Sequence, residues 1–194
     1  MRVGGRLQAF HRLWSRDGAW SLNIVRKGLT WEWCAPPPPF RPFLQASTTE
    51  LESYTSDLLA AGAVEETSSL LFQGPLFSVP KKNSTKRRVI LDLSTLNQSI
   101  LCPSFRMTTI QEVRRVLPQG VFATSIDLKD AYWHIPIHPY YRKFLGFAIG
   151  GRKFRFRAMP FGLNIAPRVF TKLCRPILRE LRSRGVNVLV YLDD

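Results

Sequence analysis

Two strand-like runs that each end in carboxylate constrain the topology of this chain more than any other feature. Val186-Asn187-Val188-Leu189-Val190 leads into Tyr191-Leu192-Asp193-Asp194, and Val121 to Leu128 reads as a second strand ending on Asp127. Adjacent unit charges about 4 Å apart repel by roughly 4 kcal/mol at an effective dielectric near 20. Paired aspartates in a cleft therefore call for a cation, and a divalent metal held by oxygen ligands meets that need. On the last four residues alone, a solvated Asp-Asp turn is the simpler account. If the two runs lie side by side in one sheet, three carboxylates converge at its edge. The long helical pattern between the runs is compatible with that pairing. Such a cluster suits two-metal catalysis of an in-line phosphoryl displacement.

The chain has 194 residues, enough for one domain or two small subdomains with a real core. Hydrophobic residues make up 45%, including 13 Phe and 5 Trp, which excludes a disordered basic tail. The net charge of +14 exceeds what solubility requires and points to a polyanion, nucleic acid before anionic membrane. No apolar run approaches a membrane span, and Arg2, Arg6, Arg12 and Arg16 interrupt the amino end, so no membrane partner is expected. Cys34, Cys102 and Cys174 are scattered and lack metal spacing; free, buried thiols in a reducing, intracellular setting account for them.

Residues 1–46 form an amino-terminal extension that includes the stiff connector Pro36-Pro37-Pro38-Pro39. Ser47-Thr48-Thr49-Glu50 reads as a capping box for a helix to about Ala61, stopped by Gly62. Phe77 to Pro80 and Arg88 to Leu93 read as a hairpin with the basic tip Lys81 to Arg87. Thr108-Thr109 with Glu112 caps a short helix ended by Gly120, and Phe144 to Phe156 forms a hairpin around Gly150-Gly151. Pro167 opens a last helix whose Phe170, Leu173, Cys174, Ile177, Leu178 and Leu181 share a face; Pro176 should kink it. This order is that of an α+β domain.

In Asp127-Leu128-Lys129-Asp130-Ala131-Tyr132 the chain should turn off its strand just past the carboxylate. Backbone amides near Asp130 and Ala131 could then face a triphosphate. Tyr132 would lie under the sugar of an incoming nucleotide and leave no room for a 2′-hydroxyl; the plainer alternative makes Tyr132 and Trp133 core aromatics. Taken in isolation, the basic hairpin carrying Lys81 and Arg88 reads as a solvated hairpin or a localisation signal. The alternating run Arg152 to Arg157 fits either template phosphates or a half-exposed strand. Trp14, Trp20, Trp31 and Trp33 read as packing residues. His134 and His138 lack a metal-binding pattern. Arg175, Arg179, Arg182 and Arg184 can be read as the wet face of their helix.

Ser125 to Tyr132, Met159-Pro160-Phe161-Gly162-Leu163-Asn164-Ile165-Ala166-Pro167 and Tyr191-Leu192-Asp193-Asp194, in this order, resemble three motifs of reverse transcriptases, and Lys81 to Asn97 resembles their fingers hairpin. The resemblance covers residues 47–194. It implies right-hand polymerase fingers over 47–100 and 137–159 and an incomplete palm over 101–136 and 160–194, without a thumb. It also implies an RNA-directed DNA polymerase that extends a primer on an RNA or DNA template with deoxynucleoside triphosphates. Asp127, Asp193 and Asp194 would hold two Mg²⁺ ions, which Mn²⁺ could replace. Lys81, Arg88, Asp130, Ala131, Tyr132, Phe161 and Gly162 would bind the nucleotide. Phe161-Gly162 resembles gypsy- and DIRS-type retrotransposons, and the amino-terminal stretch resembles the DIRS type, whose elements integrate with a tyrosine recombinase; the parent polyprotein would add a thumb, a ribonuclease H and, on the DIRS reading, that recombinase. Because the sequence stops at the third motif, these residues alone are expected to be inactive. The rival readings are an RNA-templated RNA polymerase, disfavoured by Tyr132, and a decayed remnant that only binds nucleic acid.

Overall fold

The computed structural model describes residues 2–14, 18–80, 87–116, 120 and 122–191, with the backbone alone for Arg87 and Arg88. The amino-terminal stretch forms a 3-10 helix over Arg6–Trp14, broken at Phe10, and helix α1 over Ala19–Lys27. Trp14, Ile24, Val25, Leu29 and Trp31 are buried and share one core with the residues of the later hairpins. Leu29 forms a parallel bridge to Ile137 and Trp33 an antiparallel bridge to Ile100. The segment before the prolines is thus packed into the domain. Trp14 and Trp31 are buried, and Trp20 and Trp33 pack partly buried against the same core, as packing residues should.

Local signals set the next elements. Helix α2 spans Thr49–Ala61; the Thr48 hydroxyl oxygen accepts from the Leu51 amide at 3.3 Å, and Gly62 ends the helix in the left-handed conformation. Strand β1 (Val64–Glu66) follows. Strands β2 (Leu76–Pro80) and β3 (Arg87–Leu91) form the expected antiparallel hairpin, with Phe77 opposite Ile90 and Val79 opposite Arg88. Leu76, Val89 and Leu91 supply its buried face. The tip at 81–86, which includes Lys81, lies outside the described residues. Helix α3 (Ser94–Asn97) starts where Asp92 accepts from the Ser94 amide at 2.8 Å; the Ser94 hydroxyl first, and this amide second, hold the Asp92 carboxyl below the usual carboxylate range. Helix α4 (Ile110–Val116) has a reciprocal cap: Thr109 N–H donates to Glu112 at 2.8 Å, and Glu112 N–H donates to the Thr109 hydroxyl at 3.3 Å.

Helix α5 (Pro139–Arg142) leads into β4 (Gly146–Ile149) and β5 (Arg152–Phe156), which complete a sheet in the order β1-β5-β4. Gly150 and Gly151 have φ of +56° and +78°, as a two-residue primed turn requires. Phe147, Phe154 and Phe156 turn inward and are fully buried. Arg155 turns outward, and Glu65 gathers Arg155 at 2.7 Å, Arg157 at 3.4 Å and Arg142 at 3.5 Å. Arg152 pairs with Glu66 at 2.6 Å. The basic-aromatic alternation is therefore a half-exposed strand whose guanidiniums are engaged within the fold.

Helix α6 (Ala166–Ser183) has Pro167 in its first turn and runs on through Pro176. Its buried side is Ala166, Val169, Phe170, Leu173 and Pro176, whereas Ile177 is exposed.

Two expectations need correction. Neither 122–128 nor 186–190 is a strand, and the two runs do not pair. A strand needs a ladder partner for its backbone groups. In the second run, side chains take the carbonyls instead: Arg182 donates to Val188 O at 2.8 and 3.2 Å, and Thr108 to Val190 O at 2.7 Å. In the first, Phe122, Ile126 and Leu128 remain exposed. The thiols also differ. All three are free, but Cys34 and Cys102 are exposed, because each lies at a surface backbone carbonyl rather than in the core. Cys174 is half-buried, and burial pushes its thiol up to about 11.

Candidate active site

The site is built on a reversal of the chain. Asp130 adopts φ +54°, the only positive φ at a non-glycine among the described residues. Such a conformation persists only where its surroundings impose it. It turns the irregular, exposed segment carrying Asp127 into a tight 3-10 turn, Ala131–His134. Trp133 N–H donates to Asp130 O at 2.9 Å, and the His134 ring meets Lys129 O at 3.3 Å. The Tyr54 phenol is pushed up to about 12, first by burial and then by the Asp130 carboxylate. The amino-terminal segment braces the same turn, since Gly5 N–H donates to Trp133 O at 2.8 Å.

Tyr132 is 7% exposed, and its ring stacks on Phe161 with centroids 5.0 Å apart and planes 29° apart. Phe170 of α6 also packs against the Tyr132 ring, tilted by 50° with centroids 5.6 Å apart. Phe161 is 39% exposed and offers the outer surface of this stack. Two candidate nucleotide residues from distant segments thus form one aromatic unit. Next to it, Gly162 has φ +94°, and a Cβ there would lie 2.9 Å from Leu91 O. Only glycine fits both demands.

Asn97 holds this loop, and sequence reasoning missed it. Its side-chain amide donates to Gly162 O at 2.8 Å; its side-chain oxygen accepts from Asn164 N–H at 3.0 Å. Asn164 returns a bond to Asn97 O at 3.0 Å. The loop after Met159 is therefore tied to the corner beyond β3. No spacing marks Asn97 in the sequence, because its partners lie more than 60 positions away.

Asp127 lines a cavity of about 450 Å³ with Asp130, Ala131, Phe170 and Leu173, closed on the amino-terminal side by Leu7 and Trp14. Its carboxylate is exposed, and no cation or donor among the described residues engages it. No cluster of three metal-binding side chains occurs among the described residues. Asp193 and Asp194 lie outside them, as does the side chain of Arg88, whose backbone sits opposite Val79. The donors proposed from sequence are all carboxylate oxygens, which suit a hard divalent ion, and the unclaimed Asp127 carboxylate fits that use.

Residues 79–194 match the family described as reverse transcriptase (RNA-dependent DNA polymerase). Among curated proteins, the retrovirus-related Pol polyprotein from transposon 297 of Drosophila melanogaster is 29% identical over 79% of this chain and 14% of its own length. The corresponding polyprotein from transposon gypsy of the same organism is 27% identical over 79% of this chain and 15% of its own length. Protein P of a duck hepatitis B virus from the United States is 30% identical over 62% of this chain and 15% of its own length. The chain thus spans about one-seventh of the relatives it matches. Among solved structures, a foamy viral protease-reverse transcriptase in complex with double-stranded DNA superposes with a TM-score of 0.68 at 22% identity. That match covers 83% of this chain and 28% of the other. The native prototype foamy virus protease-reverse transcriptase gives a TM-score of 0.66, also at 22% identity, over 82% of this chain and 21% of that one. These structures share the α+β fold of polymerase fingers and palm.

Proposed function

The chain belongs to the reverse transcriptase family, and from that premise we propose that it supplies fingers (47–100 and 137–159) and palm (101–136 and 160–194) to a retroelement RNA-directed DNA polymerase. The enzyme would extend a primer on an RNA or DNA template with deoxynucleoside triphosphates. The observation that carries this reading is the stack of buried Tyr132 on half-exposed Phe161, set beside the turn that follows Asp127.

Each residue has a role that follows from its chemistry. Asp127, with Asp193 and Asp194, would hold two Mg²⁺ ions; these would lower the pKa of the primer hydroxyl and stabilise the charge developed in phosphoryl transfer. Lys81 and Arg88 neutralise the triphosphate. The turn at Asp130 and Ala131 presents backbone to the phosphates. Phe161 receives the sugar and base, and Tyr132 fixes the height of Phe161. Gly162 lets the backbone come close, and Asn97 keeps that loop in place. We assign the chain to the gypsy- and DIRS-like retroelements, supported by Phe161-Gly162 and by similarity to the gypsy polyprotein. A reading frame encoding a thumb, a ribonuclease H and a tyrosine recombinase beyond Asp194 would support the DIRS branch. A retroviral-type integrase would exclude it.

Tyr132→Ala tests the sugar gate. Removing the ring lets Phe161 sink and opens space for a 2′-hydroxyl. In primer extension by the full-length protein, ribonucleotide use relative to deoxynucleotide use should rise about 10- to 100-fold, the range one small group commands in a pocket. An unchanged ratio would remove Tyr132 from sugar selection.

A further inference from the structure

Helix α6 carries Arg168, Lys172, Arg175 and Arg179 at spacings of four, three and four residues. At about 100° per residue the four fall within an arc of about 60°, roughly 4.5–6 Å apart along the axis. The only acid of the helix, Glu180, lies about 110° round from this stripe and pairs with Arg184 at 2.6 Å. No carboxylate among the described residues pairs with any of the four cations. Like charges three or four residues apart destabilise a helix by about 0.2–0.5 kcal/mol per pair, and a merely solvated face avoids this by mixing signs. Here the repulsion is retained along three turns.

Two further observations define the face. The Lys172 ammonium sits 3.9 Å over the half-buried Trp20 ring. Burial, then Arg168 and Arg175, lower Lys172 from the ordinary lysine range, so the three cations crowd one another. The cavity holding Asp127 meets α6 through Phe170, Leu173, Cys174 and Ile177, on the opposite side of the helix.

We propose that the Arg168–Lys172–Arg175–Arg179 face, with Trp20 beside it, is a second nucleic-acid contact, gripping the phosphodiester backbone outside the Asp127 site. Its four cations span about 16 Å of helix, long enough to face several successive phosphates, and the indole offers a surface for a base or sugar at the edge of the track. The proposal rests on nucleic acid as the substrate class, yet it fails separately from the polymerase reading. An unchanged salt response in the test below would defeat it while leaving Asp127-dependent extension intact.

The test compares the full-length protein with its Arg168→Gln/Lys172→Gln/Arg175→Gln/Arg179→Gln variant, using fluorescence anisotropy of a labelled RNA–DNA hybrid and of a single strand over a salt series. If all four cations contact phosphates, the slope of log K against log salt should shrink by about 3.6 for the duplex, or about 2.8 for the single strand. Extension of a short, saturating primer-template should persist. The charge-preserving variant Arg168→Lys/Arg175→Lys/Arg179→Lys should keep the parental slope. The proposal is overturned by an unchanged slope in the glutamine variant, by equal loss in the lysine variant, or by loss of short-substrate extension together with the slope. Lost binding to phosphatidylserine vesicles with an unchanged nucleic-acid slope would overturn it in favour of a membrane contact.

Discussion

Asp127→Asn in the full-length protein is expected to reduce RNA-templated primer extension at least about a thousandfold, equivalent to roughly 4 kcal/mol of transition-state stabilisation. The substitution keeps the size and shape of the side chain and removes only its charge. Asp127 is exposed, on an irregular segment, and makes no ion pair among the described residues. Nothing in the fold leans on that charge, so stability should stay within about 0.5 kcal/mol of the parent's. Single-turnover extension and a melting curve on the same preparation separate the two effects. Extension within tenfold of the parent would sink the catalytic assignment. Loss of activity together with loss of folding would make the residue structural.

The second large effect is one of stability. Gly28→Ala should destabilise the protein by about 3 kcal/mol or more, lowering the midpoint by roughly 10 °C for a domain of this size. Gly28 combines φ +98° with ψ 157°, a conformation that side chains rarely adopt, and a Cβ there would lie 2.3 Å from His138 N. The next residue makes the joint: Leu29 N–H donates to Pro136 O at 2.7 Å, and His138 N–H to Leu29 O at 3.1 Å. A methyl group must push this joint open. Gly18 is a built-in control, with φ +91° and ψ 157° but nothing within 4 Å of where a Cβ would sit. Gly18→Ala should therefore lose only the conformational part, about 1–2 kcal/mol. Equal midpoints for the two variants would show that the amino-terminal segment does not dock at Ile137.

That docking was not legible in the chain. The prolines at 36–39 mark a boundary by local stiffness, but Leu29 meets Ile137 across more than a hundred residues, which no local pattern encodes. Features written within a few positions were legible. Thr48 and Gly62 bracket α2, Thr109 and Glu112 cap α4, and Gly150-Gly151 turns β4 into β5. The runs 122–128 and 186–190 show the opposite failure. Alternating apolar residues say which side of a strand would be covered, not that a neighbouring strand is there to accept its hydrogen bonds. At the site, Tyr132, Phe161 and Gly162 stood out as residue types. Their mutual stacking and the anchoring of the loop by Asn97 depend on tertiary contact and emerged only with the fold.

The stack of Tyr132 on Phe161 has a consequence for how variation here can be interpreted. The rings share one contact, so trimming either one changes the volume and freedom of the other. Substitutions at 132 and 161 will not combine as independent steps in free energy. A smaller residue at one position can be offset by a larger one at the other, which makes the pair, and neither residue by itself, the unit on which sugar preference is set.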